Sequence, residues 1–291
     1  MLFRNLQARR EAERWSEGLR RLQELRLVDI DAGLGAVAGV TADGRIALAT
    51  REHFLVIPAS GKSPFVRVAV SKLMENHLVG LRADGTCWVG PALNRINAAV
   101  QAWQDVRQVA VSDAVFAVHG DGSVSHVAVN APARGGDPYA ALNAWRGVRK
   151  VVPCLQDGVA GLTGDGRVLL AGPNPGNHAY AGLAAGLRAR DLCFLGSEAE
   201  RIYWIDLEGV LRCSADPSDA LLADCDALAS AFDYSLLVRR ADGAVRPINE
   251  WDFHGIRIPD VRAFSIGYTD YARETFAAVL AASGRVQFIP K

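Results

Sequence analysis

Apolar residues along this chain come in short runs, and small polar turns join the runs in pairs. The segment His77 to Gly90, HLVGLRADGTCWVG, shows the unit. Leu78, Val79 and Leu81 lead into Asp84-Gly85, and Cys87-Trp88-Val89 resume the apolar pattern. Asp-Gly between two apolar runs predicts a tight hairpin, because glycine takes a positive φ without a Cβ clash. The unit recurs as VAGVTADGRIAL from Val37, VFAVHGDGSVSH from Val115 and VAGLTGDGRVLL from Val159. Looser copies are IYWIDLEGVLRC from Ile202, LLVRRADGAVRP from Leu236 and AAVLAASGRVQF from Ala277.

The turn glycines are Gly44, Gly85, Gly122, Gly166, Gly209, Gly243 and Gly284, at successive gaps of 41, 37, 44, 43, 34 and 41. A period near 40 with one hairpin per unit is the mark of a repeat architecture. The residue two after each glycine is apolar throughout. In the column four before it, only Arg239 breaks the pattern. That arginine predicts either a local register slip at Leu236-Leu237-Val238 or pairing with Asp226 or Asp233, and the slip is favoured, since an unpaired buried charge is costly.

A β-rich run precedes each hairpin: LVDIDAG (Leu27), VRVAVS (Val66), VRQVAVS (Val106), VRKVVPC (Val148), ARDLCFLG (Ala189), CDALASA (Cys225) and VRAFSIG (Val261). Each unit is therefore strand a, a loop, strand b, a tight turn and strand c, followed by a variable link with room for a short fourth strand. Trp103, Trp145 and Phe65 stand just before the valine that opens a repeat, and are expected to lock one unit to the next. Residues 4 to 25 form the one clear helix candidate, with Trp15, Leu19 and Leu22 on one face, expected to pack on the repeats. A ring of such units must join its ends, which predicts residues 22–33 beside 276–291.

The pattern of strand a, small residue, hairpin and following tryptophan, best seen in Val66–Gly90 and Val148–Gly172, resembles the regulator of chromosome condensation repeat. The period is similar to that of the short bacterial branch, which includes propeller-type β-lactamase inhibitor proteins. The resemblance covers residues 27 to 291 and implies a seven-bladed β-propeller; with the strand and helix patterns above, the chain reads as all-β, with three- to four-stranded blades and an N-terminal amphipathic helix over residues 1–26. The resemblance also implies work done by binding a protein; the eukaryotic founder of the family acts on a small GTPase as a nucleotide-exchange factor. Glu208, Ser283, Arg239 and Trp204 depart from the repeat pattern. The founder's GTPase-contacting segment has no counterpart in this chain.

Composition narrows the function. With 32 Lys and Arg against 32 Asp and Glu the net charge is zero, which argues against nucleic acid as a partner. The five cysteines, without CxxC spacing, read as reduced and buried, which suits a bacterial cytoplasm. No run is long enough to span a membrane. The histidines lack metal-site spacing, His77 and His119 reading as partly exposed structural residues. No catalytic, cofactor or metal residues are assigned.

The informative polar set is the loops between strands a and b, all expected on one face. They hold nine acidic residues (Asp31, Glu75, Asp113, Asp157, Glu198, Glu200, Asp233, Asp270, Glu274) against Lys72, Arg201 and Arg273. Tyr234, Tyr268 and Tyr271 lie among them. Clustered acid with tyrosine suits capture of a basic protein surface. The sequence thus reads as a non-enzymatic protein-binding module, monomeric on its own. Its partner-binding candidates are Glu75, Asp113, Asp157, Glu198, Asp233, Tyr234, Tyr268, Asp270 and Tyr271. The alternatives are an enzyme with a metal or small-molecule site in the central channel, and a GTPase exchange factor.

Overall fold

The computed structural model describes residues 2–60, 62–129, 137–154, 158–172, 186–195, 201–230, 235–248, 257–269 and 275–291, with side chains from Arg9 onward. One long helix, α1 (Leu2–Glu24), precedes seven antiparallel sheets. Blade 1 has four strands, Leu27–Gly33, Ala36–Thr41, Ile46–Thr50 and Phe54–Ile57. The other six have three each among the described residues. Blade 2 comprises Phe65–Val70, Leu78–Arg82 and Cys87–Val89, and blade 3 Val106–Val111, Ala114–His119 and Val124–Ala128. Blade 4 comprises Val148–Cys154, Gly158–Thr163 and Val168–Ala171, and blade 5 Asp191–Leu195, Arg201–Ile205 and Leu211–Cys213. Blade 6 comprises Cys225–Ser230, Leu236–Arg240 and Val245–Pro247, and blade 7 Val261–Tyr268, Thr275–Ala281 and Val286–Pro290. Strands are called a, b and c in chain order within each blade.

The seven turn glycines have φ between 77° and 87°. At Gly85 a Cβ would also stand 2.9 Å from the Asp105 backbone, so the turn needs glycine on two counts. That proximity reflects a repeated bond. The carbonyl of each turn glycine accepts the amide of the residue that opens the next blade. Gly44 accepts from Phe65 (2.9 Å), Gly85 from Val106 (3.0 Å), Gly122 from Val148 (3.0 Å) and Gly166 from Ala189 (2.8 Å). Gly209 accepts from Cys225 (2.8 Å) and Gly243 from Val261 (2.9 Å). The last, Gly284, accepts from Leu27 of blade 1 at 2.8 Å. The circuit is closed, all seven turns share one rim, and the fold is a seven-bladed β-propeller.

Packing follows the same circuit. Among the described residues the buried apolar side chains fall into seven clusters, one at each seam between neighbouring blades. The aromatics before strand a fill space that glycine leaves in strand b. A Cβ on Gly80 would meet Phe65 at 2.8 Å, and one on Gly161 would meet Trp145 at 2.5 Å. Blade 5 reverses the arrangement: Trp204 takes the strand b position that Gly80 and Gly161 hold in their blades, and is itself buried. Helix α1 lies in the seam between blades 7 and 1, where Trp15 and Leu22 are buried. Gly18 lets it approach blade 1, since a Cβ there would stand 3.1 Å from that of Ala49.

Two expectations change. Arg239 does not slip: it pairs in register with Ala227 and Val245. Its Nε donates to Asp226 at 2.8 Å and its Nη1 to the Arg262 carbonyl at 3.0 Å, so pairing rather than a bulge satisfies the charge. His77 is buried rather than partly exposed, and burial together with Arg95 pushes its pKa down. All five cysteines are free and buried.

Candidate functional site

The a strands line a central channel with a cavity of about 240 Å3. Its walls are mainly aliphatic, from residues such as Val109, Val152, Leu192 and Leu228. Its polar side chains stitch one blade to the next. Asp29 Oδ2 accepts the Val68 amide at 2.9 Å, and Asp31 Oδ2 the Val70 amide at 2.8 Å. Gln108 accepts the Val151 amide at 2.9 Å and donates to the Val151 carbonyl at 3.2 Å. Asp191 accepts the Leu228 amide at 3.0 Å and pairs with Lys150 Nζ at 2.6 Å. Ser230 Oγ donates to the Phe194 carbonyl at 2.8 Å. Each bond ties a side chain on one a strand to the next a strand, where no sheet ladder runs.

Blades 7, 1 and 2 meet at a denser cluster. Lys72 Nζ donates to Ser265 Oγ at 2.7 Å, to the Ile266 carbonyl at 2.6 Å and to the Ala32 carbonyl. Asp31 Oδ1 accepts Ser265 Oγ at 2.5 Å and lies 3.5 Å from Lys72 Nζ. Burial pulls the Lys72 pKa down, and the Asp31 carboxylate works against that pull. Burial also pushes the Asp29 carboxyl up to about 6, against the opposing Val68 amide bond and the Arg67 charge. Asp31 and Lys72 thus leave the loop set to which the sequence assigned them: Asp31 lies within strand a of blade 1, and Lys72 folds into the channel wall.

The face formed by the a–b loops is contiguous where it is described. The Gly35 amide donates to the Tyr268 carbonyl at 2.8 Å and the Leu34 amide to the Ser71 carbonyl at 3.0 Å, joining the loops of blades 7, 1 and 2. Glu75 is exposed there, its carboxylate beside Gly35. Asp113 is half-buried and accepts the Tyr139 hydroxyl at 2.8 and 2.9 Å. Tyr268 is 1% exposed within the seam between blades 6 and 7, so its ring cannot serve a partner. Sequence reasoning missed this because strand a of blade 7 runs on to Tyr268, where a loop was expected. Asp157, Glu198, Asp233, Tyr234, Asp270 and Tyr271 lie outside the described residues.

Histidine and cysteine chemistry is subdued. His119 bridges the Gln104 carbonyl and Ser125 Oγ, each at 2.8 Å. His126 lies 2.9 Å from Asp137. Burial pushes the Cys87 and Cys193 thiols up to about 12, far from thiolate reactivity. Among the described residues no three His, Cys, Asp or Glu converge as a metal site. No helix there is long and apolar enough to cross a membrane.

No protein-family model matches the chain, and no curated protein matches it in sequence. Solved structures do. One is PorZ of Porphyromonas gingivalis, a bacterial surface component of the type-IX secretion system, with a TM-score of 0.53 at 17% identity. The match covers 92% of this chain but only 38% of PorZ, so the chain spans well under half of that protein. The computationally designed Ika8 protein matches with a TM-score of 0.51 at 12% identity, over 91% of this chain and 96% of its own. The WD40 repeats of RRP9 match with a TM-score of 0.53 at 13% identity, over 91% and 94%. At such identities the likeness is one of fold, and it is the propeller fold.

Proposed function

We propose that the chain is a non-enzymatic protein-interaction module, in which the propeller presents a partner-binding face built from the a–b loops. The observation that carries this reading is the fate of the channel's polar groups. Asp31, Lys72, Gln108, Lys150, Asp191 and Ser265 hold neighbouring blades together. A general base or nucleophile must be available to substrate; these groups are engaged in the scaffold. The loops are left to carry recognition, as is common where a rigid framework positions variable segments. Their acidic bias, with Tyr234 and Tyr271, suits a basic protein partner.

The family reading, regulator of chromosome condensation repeats of the short bacterial type in a cytoplasmic protein, rests on the segments Val66–Gly90 and Val148–Gly172. It favours protein binding over catalysis and does not extend to GTPase exchange.

The test is affinity capture from lysate of the source organism with mass spectrometry, using the natural chain and a Glu75→Lys, Asp157→Lys, Asp270→Lys variant. A partner with a basic surface should be retained by the first and lost by the second. Equal recovery of the same proteins by both would remove the acidic face from the account.

A further inference from the structure

The arginines on the opposite face form two classes. Several at the outer rim are paired: Arg45 with Asp43 at 2.7 Å, Arg167 and Arg188 with Asp165 at 2.9 and 3.1 Å, Arg240 with Asp224 and Arg257 with Asp242 at 3.1 Å. A second class sits at the channel mouth. Arg107, Arg149 and Arg262 occupy the second position of strand a in blades 3, 4 and 7, blade 2 has Arg67 one place later, and Arg190 immediately precedes strand a of blade 5. None of the five makes an ion pair with a described residue.

The register explains the exposure of Arg107, Arg149 and Arg262, which are the extra residues of their bulges; Arg67 pairs with Leu81, and Arg190 precedes a strand whose pairing is regular. In blades 1, 2, 3, 4, 6 and 7 the pairing of strands a and b shifts between the first and third residues of strand a. A bulge of this kind leaves its extra residue outside the ladder and re-aims its side chain. The residue that opens each blade is bonded to a turn glycine, so an arginine one or two places further on lies near the turn-bearing face. All five arginines are exposed. The Arg149 guanidinium reaches the Arg190 carbonyl, so the positions adjoin from blade to blade. The nearby acids are engaged: Asp29 by the Val68 amide, Asp191 by Lys150 and Asp226 by Arg239. Two of the five have a carboxylate nearby: Arg107 has that of Asp105, sharing the space above Gly120, and Arg67 that of Asp29.

We propose that this arginine collar binds an acidic polypeptide segment at the mouth of the channel. Guanidinium groups match carboxylates through two parallel hydrogen bonds. An extended nucleic acid fits less well. Asp84 and Asp121, turn carboxylates with no ion pair to a described residue, lie on the same rim and disfavour a long polyanion, while a short acidic segment can meet the arginines alone. The collar lies on the face opposite the acidic loops and stands independently of their role.

Fluorescence anisotropy of a labelled octa-glutamate peptide at low salt tests this. The natural chain should bind it with an affinity that falls as salt is added. An Arg149→Gln, Arg190→Gln, Arg262→Gln variant should bind at least about tenfold more weakly. An Arg45→Gln, Arg167→Gln variant, altering paired outer arginines, should bind as the natural chain does. Should the triple variant fail to fold, the three single variants carry the comparison, each weakening binding. The proposal is overturned by absence of binding at low salt, by equal binding to the triple variant, or by tighter binding of a single-stranded oligonucleotide of equal charge.

Discussion

At the seam between blades 3 and 4, everything comes from the repeat itself. Trp145, three residues before its strand a, fills the space above Gly161, and Gln108 clasps both backbone groups of Val151. The seam between blades 7 and 1 is filled from outside the repeat. Trp15 of α1 meets Phe276 edge-on at 5.7 Å, Leu22 is buried beside it, and the polar stitch is the Lys72, Asp31 and Ser265 cluster. The backbone circuit is the same at both, a turn carbonyl accepting the next blade's first amide. The difference teaches that the hairpin repeat sets the ring's geometry, while its packing can be supplied by whatever segment reaches the seam.

The largest effect that could break this comparison is loss of a seam tryptophan. Trp145→Ala and Trp15→Ala should each cost about 3–5 kcal/mol in urea unfolding, because each removes a buried aromatic from a close-packed interface. Near-equal losses would make α1 part of the ring's closure. A Trp15→Ala change costing under about 1 kcal/mol would make the helix an appendage.

The two seams also differ in how well the sequence announced them. The hairpins were legible because Asp-Gly turns and two apolar columns are local signals. The lock of Trp145 onto blade 4 was legible because its distance from Val148 is repeated at Trp103 and Val106. Lys72 was not. Its partners Ser265 and Ile266 are about two hundred residues away, brought close only by ring closure. Arg239 was misjudged for a similar reason, since the Val261 and Arg262 carbonyls that help hold it belong to the next blade. Of the candidate face, Glu75 stands where the loop pattern puts it, and Tyr268 was lost to a longer strand.

A smaller effect sharpens the exchange between loop aromatic and strand glycine. Gly161→Leu should cost about 1–3 kcal/mol, since a Cβ there already stands 2.5 Å from the Trp145 ring. Combined with Trp145→Ala, the leucine should recover part of what the tryptophan loses, as Trp204 fills its own seam in blade 5. A double variant whose losses merely add would show that the two positions do not share one space.

The smallest effect separates two stitches of the same form. Gln108 and Asp29 each accept an amide of the next blade, from Val151 and Val68, both at 2.9 Å. Only the carboxylate titrates. Burial raises Asp29 to about 6 from an ordinary 3.8, so between those values the folded chain holds a proton that the unfolded chain releases. Stability should therefore fall as pH rises from about 4 to 6 and level off above. Partial solvent access reduces the full linkage, leaving a change on the order of 1–2 kcal/mol. Asp29→Asn keeps an acceptor for the Val68 amide and removes the titration. Measured by urea unfolding at several pH values, the natural chain should match this variant near pH 4 and fall below it by pH 7. Parallel curves would mean that the Asp29 stitch is as indifferent to pH as its glutamine counterpart.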